Sequence, residues 1–249
     1  MVLAASPYVW QADFDTTVVV PTLGLAFLFL TGRFRATGRD AILFGAGLAL
    51  VAVAFWSPLH HLGLHFLLTA HLLQNVVLAE WAPLLLAAAI PHAAARAASR
   101  LAMFRLMTAP FVALPVWLVG YYAWHIPVVY DAALHHPPLI HAEHAWYLVS
   151  GLLMWWPVVQ SAPRDLASGQ RAGYAFATFV LGAPLGLMLA LLPHPIYAFY
   201  VDVPTRVWGL SPLTDQQIAG VTMASEQAIV LACVCSFWFR RFLHEEGAT

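Results

Sequence analysis

Long apolar runs separated by short polar joints dominate this chain. Seven such runs occur, at approximately Thr16–Thr31, Ala41–Trp56, His65–Ile90, Leu106–Tyr122, Ala145–Val159, Arg171–Leu192 and Gln216–Phe239. Each is close to the roughly 17–25 residues with which an α-helix crosses a bilayer. The pattern predicts an all-α, polytopic membrane protein of seven transmembrane helices, forming a single domain over residues 1–249. Prolines inside the runs (Pro21, Pro83, Pro115 and Pro184) are compatible with helix, because neighbouring helices can satisfy the carbonyls they free. No internal repeat stands out, so a transporter built from inverted halves is not expected.

Composition strengthens this reading. The 249 residues are 61% hydrophobic and 9% charged, with a mean hydropathy of +0.76, whereas a soluble domain carries about 25% charged residues. Met1 to Asp15 has no positive region and carries Asp13 and Asp15, so a cleavable signal is not expected. All 11 basic residues are arginine, and no basic run suggests nucleic acid. Their placement gives an orientation. Arg33, Arg35, Arg39, Arg96, Arg100, Arg105, Arg164, Arg171, Arg240 and Arg241 fall on one side of the predicted bundle, and only Arg206 on the other. Positive charge accumulates in the cytoplasm, so the N-terminus is expected outside and the C-terminus inside.

That orientation sorts the 12 histidines. His60, His61, His125, His135, His136, His141 and His194 fall at or just beyond outer ends, and His65, His71 and His144 within the first outer turns. Only His92 and His244 lie inside. Histidine is the commonest metal ligand among side chains, and ionisable residues at a membrane boundary point to a functional site. The alternative is that these rings serve as interfacial residues at headgroup depth, or bond a neighbouring carbonyl. Helical spacing groups them further. His61 and His65 are four apart, as are His71 and Asn75, and His141 and His144 are three apart, so each pair shares a helix face. His125 sits one turn beyond Tyr121 at a Trp-His-Ile-Pro corner. The stretch Trp124–Pro157, which also holds Asp131 and Glu143, is expected to wall a polar, metal-binding site on the outer face.

The last run carries a second polar constellation. At 3.6 residues per turn, Asp215, Thr222 and Glu226 line one stripe, and Gln216, Met223 and Gln227 the adjacent one. These stripes are expected to face the bundle interior, with Glu226 and Glu80 deep in the hydrocarbon. They support a metal, form a proton or ion path, or clamp helices together; the spacing leaves all three open. Cys233 and Cys235, two apart and remote from the histidines, argue against a thiolate-rich site.

His71 followed by Ala82-Pro83, WHIPVVYDAAL at Trp124–Leu134, HAEHAWYLVSGLLMWWP at His141–Pro157, and AFY followed by WGLSPLTDQQIAG within Ala198–Gly220 together resemble the CtaG-type cytochrome c oxidase assembly proteins of bacteria. The resemblance covers about the last three-quarters of the chain. It implies a seven-helix protein of the bacterial plasma membrane, with oxidase subunits as partners and copper as the metal. Three departures stand out. Asn75 occupies a position where relatives commonly carry histidine, His141-Ala-Glu143-His144 is one residue tighter than the family's HxxEH pattern, and Glu226 stands where many relatives are apolar.

The expected metal-site residues are His71, His125, His141, His144, His65, Met223 and Glu226. Asp131, Glu143, Asp215, Gln216 and Asn75 are expected to support them from behind. Copper is the expected ligand, with zinc or haem as alternatives. Two other functions stay open: an intramembrane zinc hydrolase with Glu226 or Asp215 as base, and a haem or ion conduit through Glu80 and Glu226. Lipid contact is expected and nucleic acid is not.

Overall fold

The computed structural model describes residues 6–11 and 14–247, so Asp13 lies outside the described residues. Among these there is no strand. In chain order the helices are α1 (Phe14–Phe34), α2 (Gly38–Trp56), α3 (Pro58–His65), α4 (Leu68–Val76) and α5 (Ala82–Ala88). They continue with α6 (His92–Ala98), α7 (Ala102–Met107), α8 (Pro110–Trp124), α9 (Pro127–His135) and α10 (Pro137–Val159). The chain ends with α11 (Ser168–Leu191), α12 (Ala198–Asp202) and α13 (Pro212–Glu246).

Proline places several of these starts. It opens α3, α8, α9, α10 and α13, where its fixed φ suits the first helical turn and its missing N–H costs nothing. Pro137 and Pro138 start α10 well before Ala145, where the apolar run suggested, so the helix includes His141, Glu143 and His144. The run His65–Ile90 is also not one helix. It breaks at Phe66 and Leu67, the latter extended at φ −133° and ψ 122°. The cause lies elsewhere in the chain. Asp215 of α13 accepts hydrogen bonds from the amides of Leu68 (2.7 Å) and Thr69 (3.0 Å), capping a new helix there.

Between α4 and α5 the backbone widens into one π-helical turn, Val77–Trp81, which carries Glu80. Pro83 has no N–H to offer the Ala79 carbonyl. On that carbonyl packs Gly151 of α10, where a Cβ would run into Ala79 and Pro83.

Among the described residues, five stretches are long and apolar enough to cross a membrane: Thr17–Phe34, Gly38–Trp56, Leu68–Ala88, Ser168–Leu191 and Pro212–Glu246. The pair α8 and α9, bent by 75°, would make a sixth if it is one span. α10 has 23 residues, more than the 19 of α2, but its outer turns carry the His141–His144 polar segment. Length and apolarity therefore support five or six of the seven expected crossings. Large apolar side chains such as Leu25, Phe29, Ile42, Phe111, Phe176 and Leu191 point outward, as a lipid-facing surface requires. Inside, α10 packs against α8, α5 and the π turn, while α11 pairs with α13. The space between α4, α8, α9 and α10 holds the polar cluster.

Candidate metal centre

Three of the histidines are buried: His71 on α4 (0% exposed), His125 at the end of α8 (4%) and His144 on α10 (2%). Each is oriented by a different acceptor. His71 Nδ1 lies 3.0 Å from the Tyr200 hydroxyl, which itself donates to the Gly63 carbonyl at 2.6 Å. With its one proton committed to Gly63, the hydroxyl must accept from Nδ1–H. His125 Nδ1 lies 2.7 Å from the Tyr121 carbonyl, an acceptor only. His144 Nδ1 lies 2.7 Å from an Asp15 carboxylate oxygen. In all three rings the proton therefore belongs on Nδ1, and the Nε2 lone pair is left free. All three Nε2 atoms are buried without a hydrogen-bond partner. Fixing one ring nitrogen by a hydrogen bond while the other stays free is how proteins prepare histidines for metal ligation.

Glu143 joins the three rings. It is fully buried, interacts electrostatically with each of them, and its Oε1 lies 3.6 Å from His71 Nε2. That separation exceeds a hydrogen bond and leaves the His71 lone pair unused. Asn75 Nδ2 donates to the same Oε1 at 2.9 Å, holding the carboxylate in place. Tyr130 of α9 packs between the rings, 5.0 Å from His71 and 6.0 Å from His125 by ring centroids. The corner Trp124–Pro127 puts His125 there. The residue before a proline avoids the helical region, so Ile126 is extended, the chain turns, and His125 faces inward.

Nearer the surface, Asp15, His141 and His144 form a second group whose ligand atoms lie within 4.8 Å of one another. His141 Nδ1 is 2.9 Å from Asp15 Oδ1, and its side chain is 30% exposed. Burial on its own would raise the Asp15 carboxyl, but the hydrogen bonds and charges of His144 and His141 outweigh it and hold the group below its ordinary value. His144 thus belongs to both groups, with Nδ1 toward Asp15 and Nε2 toward the interior.

Of the other expected site residues, Met223 lies beside His125, while His65 and Glu226 have different neighbours. His65 is on α3, exposed, with its ring 4.6 Å from His61 and on a different helix from His71. Burial, followed by the neighbouring His61 and His60, pushes the His65 imidazole below its ordinary value; burial and His60 do the same to His61. Met223 is buried and lines a small cavity of about 10 Å³ with Asn75, Glu80, Tyr121, His125 and Tyr147. Glu226 is away from the histidines. It accepts from Trp81 Nε1 at 2.7 Å beside Glu80, and Gln227 Nε2 donates to Glu80 at 2.7 Å and to Tyr121 at 2.9 Å.

Asp131 accepts from the amides of Ala198 and Phe199 at the start of α12, which positions Tyr200. Besides the Leu68 and Thr69 amides, Asp215 accepts from the Thr69 hydroxyl at 2.7 Å. Gln216 accepts from the Ile196 amide at 2.8 Å and donates to the His194 carbonyl at 3.2 Å. The last two make the DQQ run an architectural tie. Asp15 and Tyr200 are the functional neighbours that sequence reasoning missed. Each reaches its histidine across 129 residues of chain, and spacing along a helix carries no trace of such a contact.

Helices with a lipid-facing apolar surface around buried imidazoles and carboxylates define a polytopic membrane protein with a candidate metal centre. The chain belongs to the cytochrome c oxidase caa3 assembly factor family (Caa3_CtaG), whose sequence pattern matches residues 25–245. It is thus a member of a family of cytochrome c oxidase assembly factors. No curated protein sequence and no solved structure matches the chain.

Proposed function

We propose that this assembly factor binds copper at His71, His125 and His144, with Glu143 beside them, and hands it to a cytochrome c oxidase subunit. The reading rests on one observation above all: three buried imidazoles whose Nδ1 atoms are all committed and whose Nε2 atoms all lack a partner. A buried polar atom without a partner needs an ion or an ordered water to satisfy it; these three are all imidazole nitrogens around one carboxylate, and imidazole nitrogen suits copper as well as zinc. The Asp15–His141–His144 group, more exposed, would take the ion only with loss of the proton that His144 Nδ1 donates to Asp15. On this reading residues 1–249 form one domain, α10 and the α8–α9 pair bring the crossings to seven, and the N-terminus faces outward at the bacterial plasma membrane. The excess of arginine on the opposite side supports that orientation.

The zinc-hydrolase and haem alternatives lose their specific support. Asp215 spends its carboxylate oxygens on Leu68 and Thr69, and Glu226 lies with Trp81 and Glu80, so the two bases expected for a zinc hydrolase are engaged elsewhere. The cavity beside His125, about 10 Å³, suits a single small ion or water rather than a haem macrocycle.

Metal analysis of the purified protein tests the proposal. His71→Ala, His125→Ala and His144→Ala should each lose most of the copper retained by the unsubstituted chain. His92→Ala and His244→Ala, at exposed positions, should retain it. Equal copper content in all five variants would mean that the histidines are structural.

A further inference from the structure

The first outer helix carries histidines that the buried centre does not use. His61 and His65 are four residues apart on α3, with ring centroids 4.6 Å apart. With His60, Ser57 and Gln11 they line a cleft of about 170 Å³. His65 is exposed at its mouth, while His61 Nε2 is buried with no hydrogen-bond partner. Two imidazoles at i and i+4 present two nitrogens to one side of a helix, an arrangement that holds a transition-metal cation.

The cleft leads inward. His60 stands at its inner wall, where Gln74 Nε2 donates to its Nδ1 at 2.8 Å. Its ring is 5.7 Å from His144, which is in turn 6.4 Å from His71. Imidazoles therefore run from an exposed edge, past His60 and His144, to the buried His71.

We propose that the His61–His65 cleft is a capture site for a cuprous or divalent transition-metal cation, and that it feeds the buried centre past His60 and His144. The feeding step rests on the copper-binding reading of that centre; the capture site does not. Binding there is plain coordination by two neutral imidazoles at a mouth open to solvent. Exchange at such a site is fast, whereas a buried ion with committed neighbours leaves slowly.

The test uses the full chain in detergent micelles, with Cu(II) as the probe. Equilibrium dialysis gives the number of bound equivalents, and stopped-flow mixing gives the rate at which the slowly exchanging copper is acquired. The double variant H61A/H65A should bind one equivalent fewer than the unsubstituted protein and fill the slowly exchanging site at least tenfold more slowly. H71A/H125A should also bind one fewer, while keeping the fast-exchanging equivalent. Size-exclusion elution confirms that each variant is folded, and H65N, which keeps the polarity of the exposed edge, repeats the measurement with minimal disturbance. An unchanged count in H61A/H65A overturns the capture site. A lower count with an unchanged filling rate overturns its role as an entrance. An unchanged count in H71A/H125A overturns the buried centre instead and leaves the cleft standing.

Discussion

At the scale of single residues, Tyr200 offers the test between the proposed metal centre and a merely well-packed interior. Its hydroxyl holds the His71 ring through Nδ1 and is held by Gly63, so it sets the direction of the Nε2 lone pair without touching the centre. Removing the hydroxyl in Tyr200→Phe costs about 0.5–1.5 kcal/mol as a hydrogen bond. It also frees His71 to rotate or change tautomer. Loss of such an orienting partner lowers metal affinity by about 10–100-fold. Tyr122→Phe is the matched control, since that hydroxyl donates to the Leu181 carbonyl at 2.7 Å, away from the histidines. Competition with a chromophoric copper chelator should show weaker binding for Tyr200→Phe and unchanged binding for Tyr122→Phe. Equal affinities in the two variants would leave Tyr200 a packing residue. Asn75 illustrates the same principle from the other side. Its amide donates to Glu143 Oε1 at 2.9 Å and so holds that carboxylate beside the His71 ring.

At the scale of elements, the apolar runs show where helices exist, because a lipid-facing surface is written directly into hydropathy. They do not show where those helices break. The Phe66–Leu67 break follows from Asp215, 147 residues from Leu68, and the α10 start follows from Pro137 rather than from the first apolar residue. The same limit applies to the site. His71, His125 and His144 were legible as clustered histidines, and the polar stripe on the last apolar run put Glu226 among the expected metal-site residues with them. Only packing reveals that Glu226 faces Trp81 and Glu80 across the π turn. His65 likewise looked one step from His71 until the helix break put them on different elements. That π turn packs closely against α10 at Gly151. In Gly151→Val the added side chain meets the Ala79 carbonyl and Pro83, both attached to a rigid backbone. Overpacking of this kind costs about 1–3 kcal/mol and should push α10 away from the π turn, displacing His144 and Glu143 together. The expected result is a lower thermal denaturation midpoint together with lost copper retention. A Gly173→Val control, at a position where a Cβ meets nothing within 4 Å, should change neither. If Gly151→Val retained both stability and copper, the close approach would have no part in holding the centre.

At the scale of the whole molecule, the site and the arginines make one argument. The exposed edge of the polar cluster, His141 and His65, lies at one end of the bundle, and Arg33, Arg35, Arg39, Arg96, Arg100 and Arg105 lie in the joints expected at the other. A chain that loads copper for an oxidase must receive the ion on the side where the cleft opens, so orientation decides whether the proposed function is coherent. Single cysteines, introduced after Cys233 and Cys235 are replaced by serine, read that orientation in intact cells. Gly38 and Arg100 are exposed positions on the arginine-rich side, and Pro138 and Thr205 are exposed positions on the histidine side. A cysteine at Gly38 meets no neighbour within 4 Å, so labelling there reports access rather than packing. An impermeant maleimide should label Pro138→Cys and Thr205→Cys in intact cells, and Gly38→Cys and Arg100→Cys only after permeabilisation. The reverse pattern would put the histidine cleft in the cytoplasm, turn the arginine asymmetry against the usual rule, and remove the outer-face copper route along with it.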